Sequence, residues 1–167
     1  MDSGNGVKGL HVNNRLNNTK LITTEQIHII RQTFSLVSPM ADSVAAVFYR
    51  RLFELDPSLR AMFPPSLLDQ GRKLMQMLGA AVGLLERPEQ LVPVLESLGK
   101  RHAGYGVRDE HYDTVGEALL WTLERGLGTL FTPEVQAAWG ALYGLVATTM
   151  KNAANTSPAQ LEAAEVS

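Results

Sequence analysis

Residues 91–107 read LVPVLESLGKRHAGYGV. Leu91, Leu95 and Leu98 fall 11, 7 and 4 residues before His102. At the helical repeat all four share one face. The spacing predicts a helix that Pro88 opens, at the position proline favours, and that runs to about Arg101. Gly104-Tyr105-Gly106 then breaks the chain. His102 stands at the end of an apolar stripe and is aimed inward. Spacing alone leaves two readings open for it. One is a core or helix-end histidine with hydrogen-bonded ring nitrogens; the other is a ligand to a metal.

Outward from this helix the same periodicity covers nearly all of the middle of the chain. Thr23 or Thr24 caps a first helix, with Glu25 or Gln26 suited to its first turn. Pro39 opens a second after Ser38, reaching about Leu55. Asp56-Pro57 starts a short turn that ends near Phe63, and Pro64-Pro65-Ser66 is a loop. A long helix follows from about Leu67 to Leu85. Beyond the central helix, Asp109 caps another to about Leu127, and Thr132-Pro133-Glu134 starts the last, to about Lys151. Neither strand alternation nor an internal repeat is visible. The expectation is an all-α domain over residues 23–152, with about six main helices plus short ones. Flexible segments are expected at 1–22 and 153–167. Helix count alone does not separate a bundle from other packings. Gly79 with Gly83, and Gly140 with Gly144, each open two gaps on one helix face. A helical glycine costs about 1 kcal/mol relative to alanine, so close approach of a neighbouring helix is expected there.

Composition narrows the chemistry. The chain has 167 residues, 45% of them hydrophobic, a formal net charge of -2 and no cysteine. That is ample for one core. The charge balance argues against a nucleic-acid partner. Without cysteine there is no disulfide, zinc–thiolate site, iron–sulfur cluster or thiolate-ligated haem. The first twenty residues lack an apolar core, so no signal peptide is expected. No apolar run approaches the roughly 20 residues of a membrane span. A soluble, cytoplasmic protein without a membrane partner is the expectation. There is no phosphate-binding glycine loop and no G-x-S-x-G turn. His28 and His111 have no histidine three or four residues on.

Three further positions invite attention. Gln70 heads a second stripe, with Leu74, Met77 and Ala81 at 4, 7 and 11 residues. It is either a surface amide or a polar group at the head of an apolar pocket. Tyr49 shares a face with Ala45, Leu52 and Phe53; its phenol needs a partner if buried, either a backbone carbonyl or a ligand. Lys73, Lys100 and Arg101 suit solvent or the helix dipole, or an anionic cofactor group such as a propionate.

The segments FYRRLFELDPSLRAMF (48–63), DQGRKLMQMLG (69–79), LGKRHAGYGV (98–107), HYDTVGEALL (111–120) and AAWGALYGLVA (137–147) together resemble bacterial single-domain haemoglobins and the globin domain of flavohaemoglobins. The order and intervals agree over roughly residues 24 to 150. The resemblance implies a globin fold and a non-covalently held b-type haem. It implies His102 as the iron's protein ligand, Phe63 packed on the haem face, and Tyr49 and Gln70 as the distal polar pair. Leu74 is then the apolar residue over the bound ligand and Val107 a haem-edge contact. Leu98 supplies the carbonyl acceptor for His102, and Lys73 and Arg101 lie near the propionates. The implied ligands are O2, NO and CO at a five-coordinate iron, in a monomer or weak dimer. Two distal donors imply tight oxygen binding and slow release. Reversible oxygen binding is the first functional expectation. Nitric oxide dioxygenation with a separate reductase is the second, and a haem-free helical regulatory domain the third. Tyr112 matches a tyrosine that this family places near the proximal histidine, whereas Thr156 stands where its partner glutamate belongs.

Overall fold

Thr23 starts the first helix with a reciprocal cap. Its hydroxyl accepts the Gln26 N–H at 3.0 Å, and the Gln26 side chain accepts the Thr23 N–H at 3.1 Å, satisfying two donors that a helix start leaves without partners. The structure, a computed structural model, describes residues 22–156. Helix α1 spans Thr24–Val37 and passes through a 3-10 turn, Ser38–Met40, into α2, Ala41–Leu55. Asp56 caps the 3-10 turn Pro57–Met62 by accepting the Ser58 N–H at 3.1 Å. Helices α3, Leu68–Gly83, α4, Pro88–Gly104, and α5, Asp109–Leu127, follow. A last 3-10 turn, Gly128–Leu130, leads to α6, Pro133–Ala154, capped by Thr132. Among the described residues these six helices and three short turns make an all-α domain.

The elements expected from sequence are present, with several shifted ends. Pro39 lies in the 3-10 turn, so α2 itself starts at Ala41, and α3 ends at Gly83 and not at Leu85. Helix α4 runs three residues past Arg101, so His102 lies within its last turn. Asp109 is the first helical residue of α5 and not its cap; the Arg108 N–H is instead accepted by His111 Nδ1, reaching back at 3.0 Å. The segments expected to be flexible lie mostly outside the described residues. Within the described part, Ile22 is buried and α6 continues to Ala154.

Packing divides the apolar residues into two groups. The larger joins Ile30, Leu91, Leu95, Leu123, Trp139 and Leu142 from α1, α4, α5 and α6. The smaller joins Phe48, Tyr49, Leu52, Leu59, Met75 and Ala118 around α2. Trp139 Nε1–H donates to Thr33 Oγ1 at 2.8 Å, and the Thr33 hydroxyl donates to the Ile29 carbonyl at 2.7 Å. This chain of bonds ties α6 to α1 and satisfies an indole N–H that has no access to water. Helix α4 packs on α6, α2 on α5 and α3, and α1 on α6 and α3. Helices α3 and α4, consecutive in sequence, are not packed along each other.

The close approaches fall at other glycines than the spaced pairs. A Cβ on Gly79 would meet the Phe34 ring at 3.5 Å, ordinary contact, and Gly83, Gly140 and Gly144 face open space. A Cβ on Gly99 of α4 would collide with the backbone of Met150 on α6. One on Gly71 of α3 would stand 2.8 Å from Ala45 Cβ on α2, and one on Gly116 would strike the Tyr143 ring. Spacing shows which residues share a face, but not which face another helix crosses. Gly99→Ala should therefore cost about 1–3 kcal/mol or more, as overpacking against backbone that cannot yield. Gly140→Ala should gain up to about 1 kcal/mol, from helix propensity in open space. Denaturant midpoints of the two variants check this; similar shifts in one direction would refute it.

Candidate functional site

Tyr49 faces inward from α2 because Ala45, Phe48 and Leu52 share its buried side. Only 3% of it is exposed. Its ring lies edge-on to Phe63 with centroids 5.5 Å apart and stacks on Phe53 at 6.1 Å; Phe53 and Phe63 are also edge-on, at 5.5 Å. Such offset and edge contacts are the preferred aromatic geometries. The Tyr49 hydroxyl donates to the backbone carbonyl of Gln70 at 3.3 Å, a long bond that holds it loosely. Burial pushes its pKa up to about 12, partly opposed by the Gln70 side chain. The phenol is thus a neutral donor at ordinary pH.

Two residues that the sequence reading passed over build this half of the site. Gly71 lets α3 close on α2: the position its Cβ would take is 3.8 Å from the Tyr49 ring. Arg60 holds the loop after Phe63, its guanidinium donating to the carbonyls of Phe63, Pro64 and Pro65 at 3.3, 3.0 and 2.9 Å. The same guanidinium stands 5.6 Å from the Phe53 ring. The signal was available in the Pro64-Pro65 pair. Prolines supply no backbone donor for a regular turn, so a side-chain donor nearby has carbonyls to serve.

His102 stands in the last turn of α4. Its Nδ1 is 2.8 Å from the Leu98 carbonyl, which makes Nδ1 the protonated nitrogen and leaves Nε2 as the lone-pair donor. Among the described residues Nε2 has no hydrogen-bond partner. Burial lowers the pKa of the ring, the Arg101 charge lowers it further, and the Leu98 carbonyl opposes both. A neutral imidazole with one nitrogen anchored is the state that a metal ligand requires. The turn after it is closed by the Val107 N–H, which donates to the His102 carbonyl at 3.1 Å, and by Gly106 at φ +85°, a conformation natural to glycine.

The residues singled out from sequence thus fall into two sets. Tyr49, Phe63 and Leu74 belong to the smaller apolar group, with Gln70 bonded to it, while Leu98 and Val107 belong to the larger, with His102 bonded to Leu98. Among the described residues no hydrogen bond or ring contact joins the two sets. Lys73 and Arg101 are exposed, and neither forms an ion pair among the described residues. The Tyr112 hydroxyl is buried without a hydrogen-bond partner. Thr156 does not supply one, because its hydroxyl donates to the Asn152 carbonyl at 2.8 Å. The two sets hold the groups that a planar, apolar cofactor with one neutral nitrogen ligand would need: an imidazole in one, and aromatic and aliphatic surface with a phenol in the other.

The Globin family model matches residues 46–150. A flavohemoprotein of Xylella fastidiosa is 31% identical over 129 residues, covering 75% of this chain and 32% of that protein. The chain spans about a third of the length of the curated relatives it matches. Among solved structures, a flavohemoglobin from Malassezia yamatoensis with bound FAD and heme superposes with a TM-score of 0.66 at 25% identity, over 80% of this chain and 36% of that one. A bacterial globin from Campylobacter jejuni gives 0.70 at 24% identity, over 79% and 96%.

The Tyr49 ionisation carries a stability signature. In the unfolded chain the phenol ionises near pH 10.0, and in the fold at about 12. Between these values the unfolded state has released a proton that the folded state keeps, so stability falls as pH rises. Tyr49→Phe should make that fall shallower. Denaturant midpoints of both proteins from pH 9 upward measure it; equal slopes would mean that the hydroxyl is not shielded.

Proposed function

The chain belongs to the globin family, and from that premise we propose that it is a haem protein that binds O2 and other diatomic ligands with His102 as the single protein ligand to the iron. The cofactor is haem, of the non-covalent b type, since the chain has no cysteine to attach it. The observation that carries the reading is the state of His102: neutral, anchored at Nδ1 and unbonded at Nε2. Phe63, Leu74 and Val107 would line the macrocycle, and the exposed Lys73 and Arg101 would meet its propionates. When bound, haem supplies an iron that takes up diatomic ligands.

The chain's own residues then decide how long a ligand stays. A diatomic ligand that took up partial negative charge would be stabilised by a preorganised donor. Tyr49 can serve because its bond to the Gln70 carbonyl is long and its phenol stays protonated. Gln70 adds an amide donor one helix away. The apolar surroundings of Tyr49 keep out water that would compete for its proton. The second reading is nitric oxide dioxygenation, in which NO, O2 and one electron give nitrate. The similarity to flavohemoproteins favours it, and that reaction needs a reductase to supply the electron. A turnover assay with a generic reductase separates the two readings.

His102→Ala should abolish stable haem retention while leaving the helical circular dichroism in place. An unchanged haem absorption spectrum would overturn the assignment. Tyr49→Phe keeps the ring and deletes the donor. One lost hydrogen bond to a charge-bearing ligand is worth roughly a factor of ten or more in release rate. Stopped-flow oxygen release should accelerate by about that factor, and by less for Gln70→Leu. Release at the parent rate would make Tyr49 a packing residue only.

A further inference from the structure

Helices α2 and α5 carry a second constellation that the haem reading does not use. Val47, Arg50, Arg51 and Glu54 recur at helical spacing on α2, and Trp121 and Arg125 stand one turn apart on α5. The two helices pack on each other, and these six side chains line a cavity of about 390 Å³. That lies within the roughly 300–1,000 Å³ range of small-ligand clefts.

Its charge is unbalanced. Three guanidiniums meet one carboxylate. Arg51 Nη1 pairs with Glu54 Oε2 at 3.3 Å, yet the buried Arg51 Nε has no hydrogen-bond partner. The guanidinium carbons of Arg51 and Arg125 stand 5.0 and 4.5 Å from the centroid of the same Trp121 ring. Among the described residues Arg50 has neither an ion pair nor a hydrogen bond, and Arg125 has no carboxylate. Two cations gathered on one indole, with a third beside them, repel one another unless an anion lies between. Glu54 is the one carboxylate among the six lining residues.

We propose that this cleft binds a small molecule bearing two or more adjacent phosphate groups. Guanidinium forks donate in pairs to phosphate oxygens, and a phosphate accepts from several forks at once. Glu54 neutralises one of the three cations, and the positive charge that remains is spread over separate forks, which two linked phosphates can engage together and a single compact anion cannot. Arg50 and Arg125, both exposed and free of carboxylates among the described residues, supply the free forks. The Trp121 ring holds Arg51 and Arg125 in place, so little side-chain freedom is lost on binding. The site stands apart from the haem reading, since none of its residues contributes to the Tyr49 or His102 surroundings.

Isothermal titration of the full-length holoprotein with pyrophosphate and with ADP, at constant ionic strength and with sodium sulfate as control, tests the proposal. The expected result is one saturable site per chain that takes a diphosphate at least about tenfold more tightly than sulfate. Tighter binding of ADP identifies a nucleotide as the natural source, and tighter binding of pyrophosphate a free polyphosphate; either supports the site. Arg50→Gln and Arg125→Gln should each weaken binding roughly tenfold. Glu54→Gln should tighten it, a gain that an unfolded or damaged protein cannot produce. Non-saturating heats, affinity equal to that for sulfate, or the same affinity in all three variants would overturn it. A cleft that rejects both diphosphates but binds an acidic polypeptide would also overturn it, in favour of a protein partner.

Discussion

Gly99 of α4 rests against the backbone of Met150 on α6, and the placement of His102 follows from that approach. Helix pairs separated by side chains keep their axes about 8–10 Å apart; a glycine at the crossing lets backbone meet backbone. Leu91 and Leu95 complete the same interface as part of the larger apolar group. Because α4 is committed to α6, it is not packed along α3, its predecessor in the chain. Helix α3 goes instead to α2, through the contact of Gly71 with Ala45. Two glycines, one on each helix, thus draw α3 and α4 toward different partners. The residues proposed to face the two sides of a haem belong to separate apolar groups for this reason.

Burial keeps both key side chains uncharged, although it moves their pKa values in opposite directions. It raises the Tyr49 phenol and lowers the His102 imidazole, and each shift favours the neutral form. In both cases the partner is a backbone carbonyl, that of Gln70 or that of Leu98. A carbonyl orients a donor without bringing a charge into apolar surroundings. A carboxylate beside His102 would have made the imidazole a stronger electron donor. Thr156, which takes that place in the sequence, spends its hydroxyl on the Asn152 carbonyl of α6, and among the described residues the Tyr112 hydroxyl has no partner. The His102 ring is held by a carbonyl dipole, which is a weaker influence than a full charge.

The aromatic cage shows how a loop without regular structure is held firmly enough to position a side chain. Phe63 lies just past a 3-10 turn and just before two prolines. Arg60 bonds three consecutive carbonyls there, and Phe53 and Tyr49 close on the Phe63 ring. The guanidinium replaces the backbone donors that Pro64 and Pro65 lack. On α2, the face carrying Tyr49 turns to the interior, while Arg50 and Arg51 turn to the α5 side and its uncompensated positive charge. One helix thus serves two chemically unlike environments, as its periodicity allows.

Sequence alone determined the helices, because caps, prolines and 3.6-residue stripes act locally. Thr23, Asp56 and Thr132 mark starts that a neighbour within three residues completes, and Pro88 a start that its own fixed φ favours. It also determined that Leu91, Leu95, Leu98 and His102 share a face, since that is helical arithmetic, and the order of the motifs was enough to resemble a globin. It did not determine which helix crosses which. The spaced pairs Gly79–Gly83 and Gly140–Gly144 looked like crossing points, yet the crossings are at Gly71, Gly99 and Gly116. A glycine records room for a neighbour only once the neighbour's path is known, and that path depends on residues distant in the chain. The partner of the Tyr49 hydroxyl, the clasp of Arg60 and the cation-rich cleft of α2 and α5 were likewise decided by tertiary structure. Each joins groups whose separation in sequence, or whose irregular backbone, leaves no periodic trace.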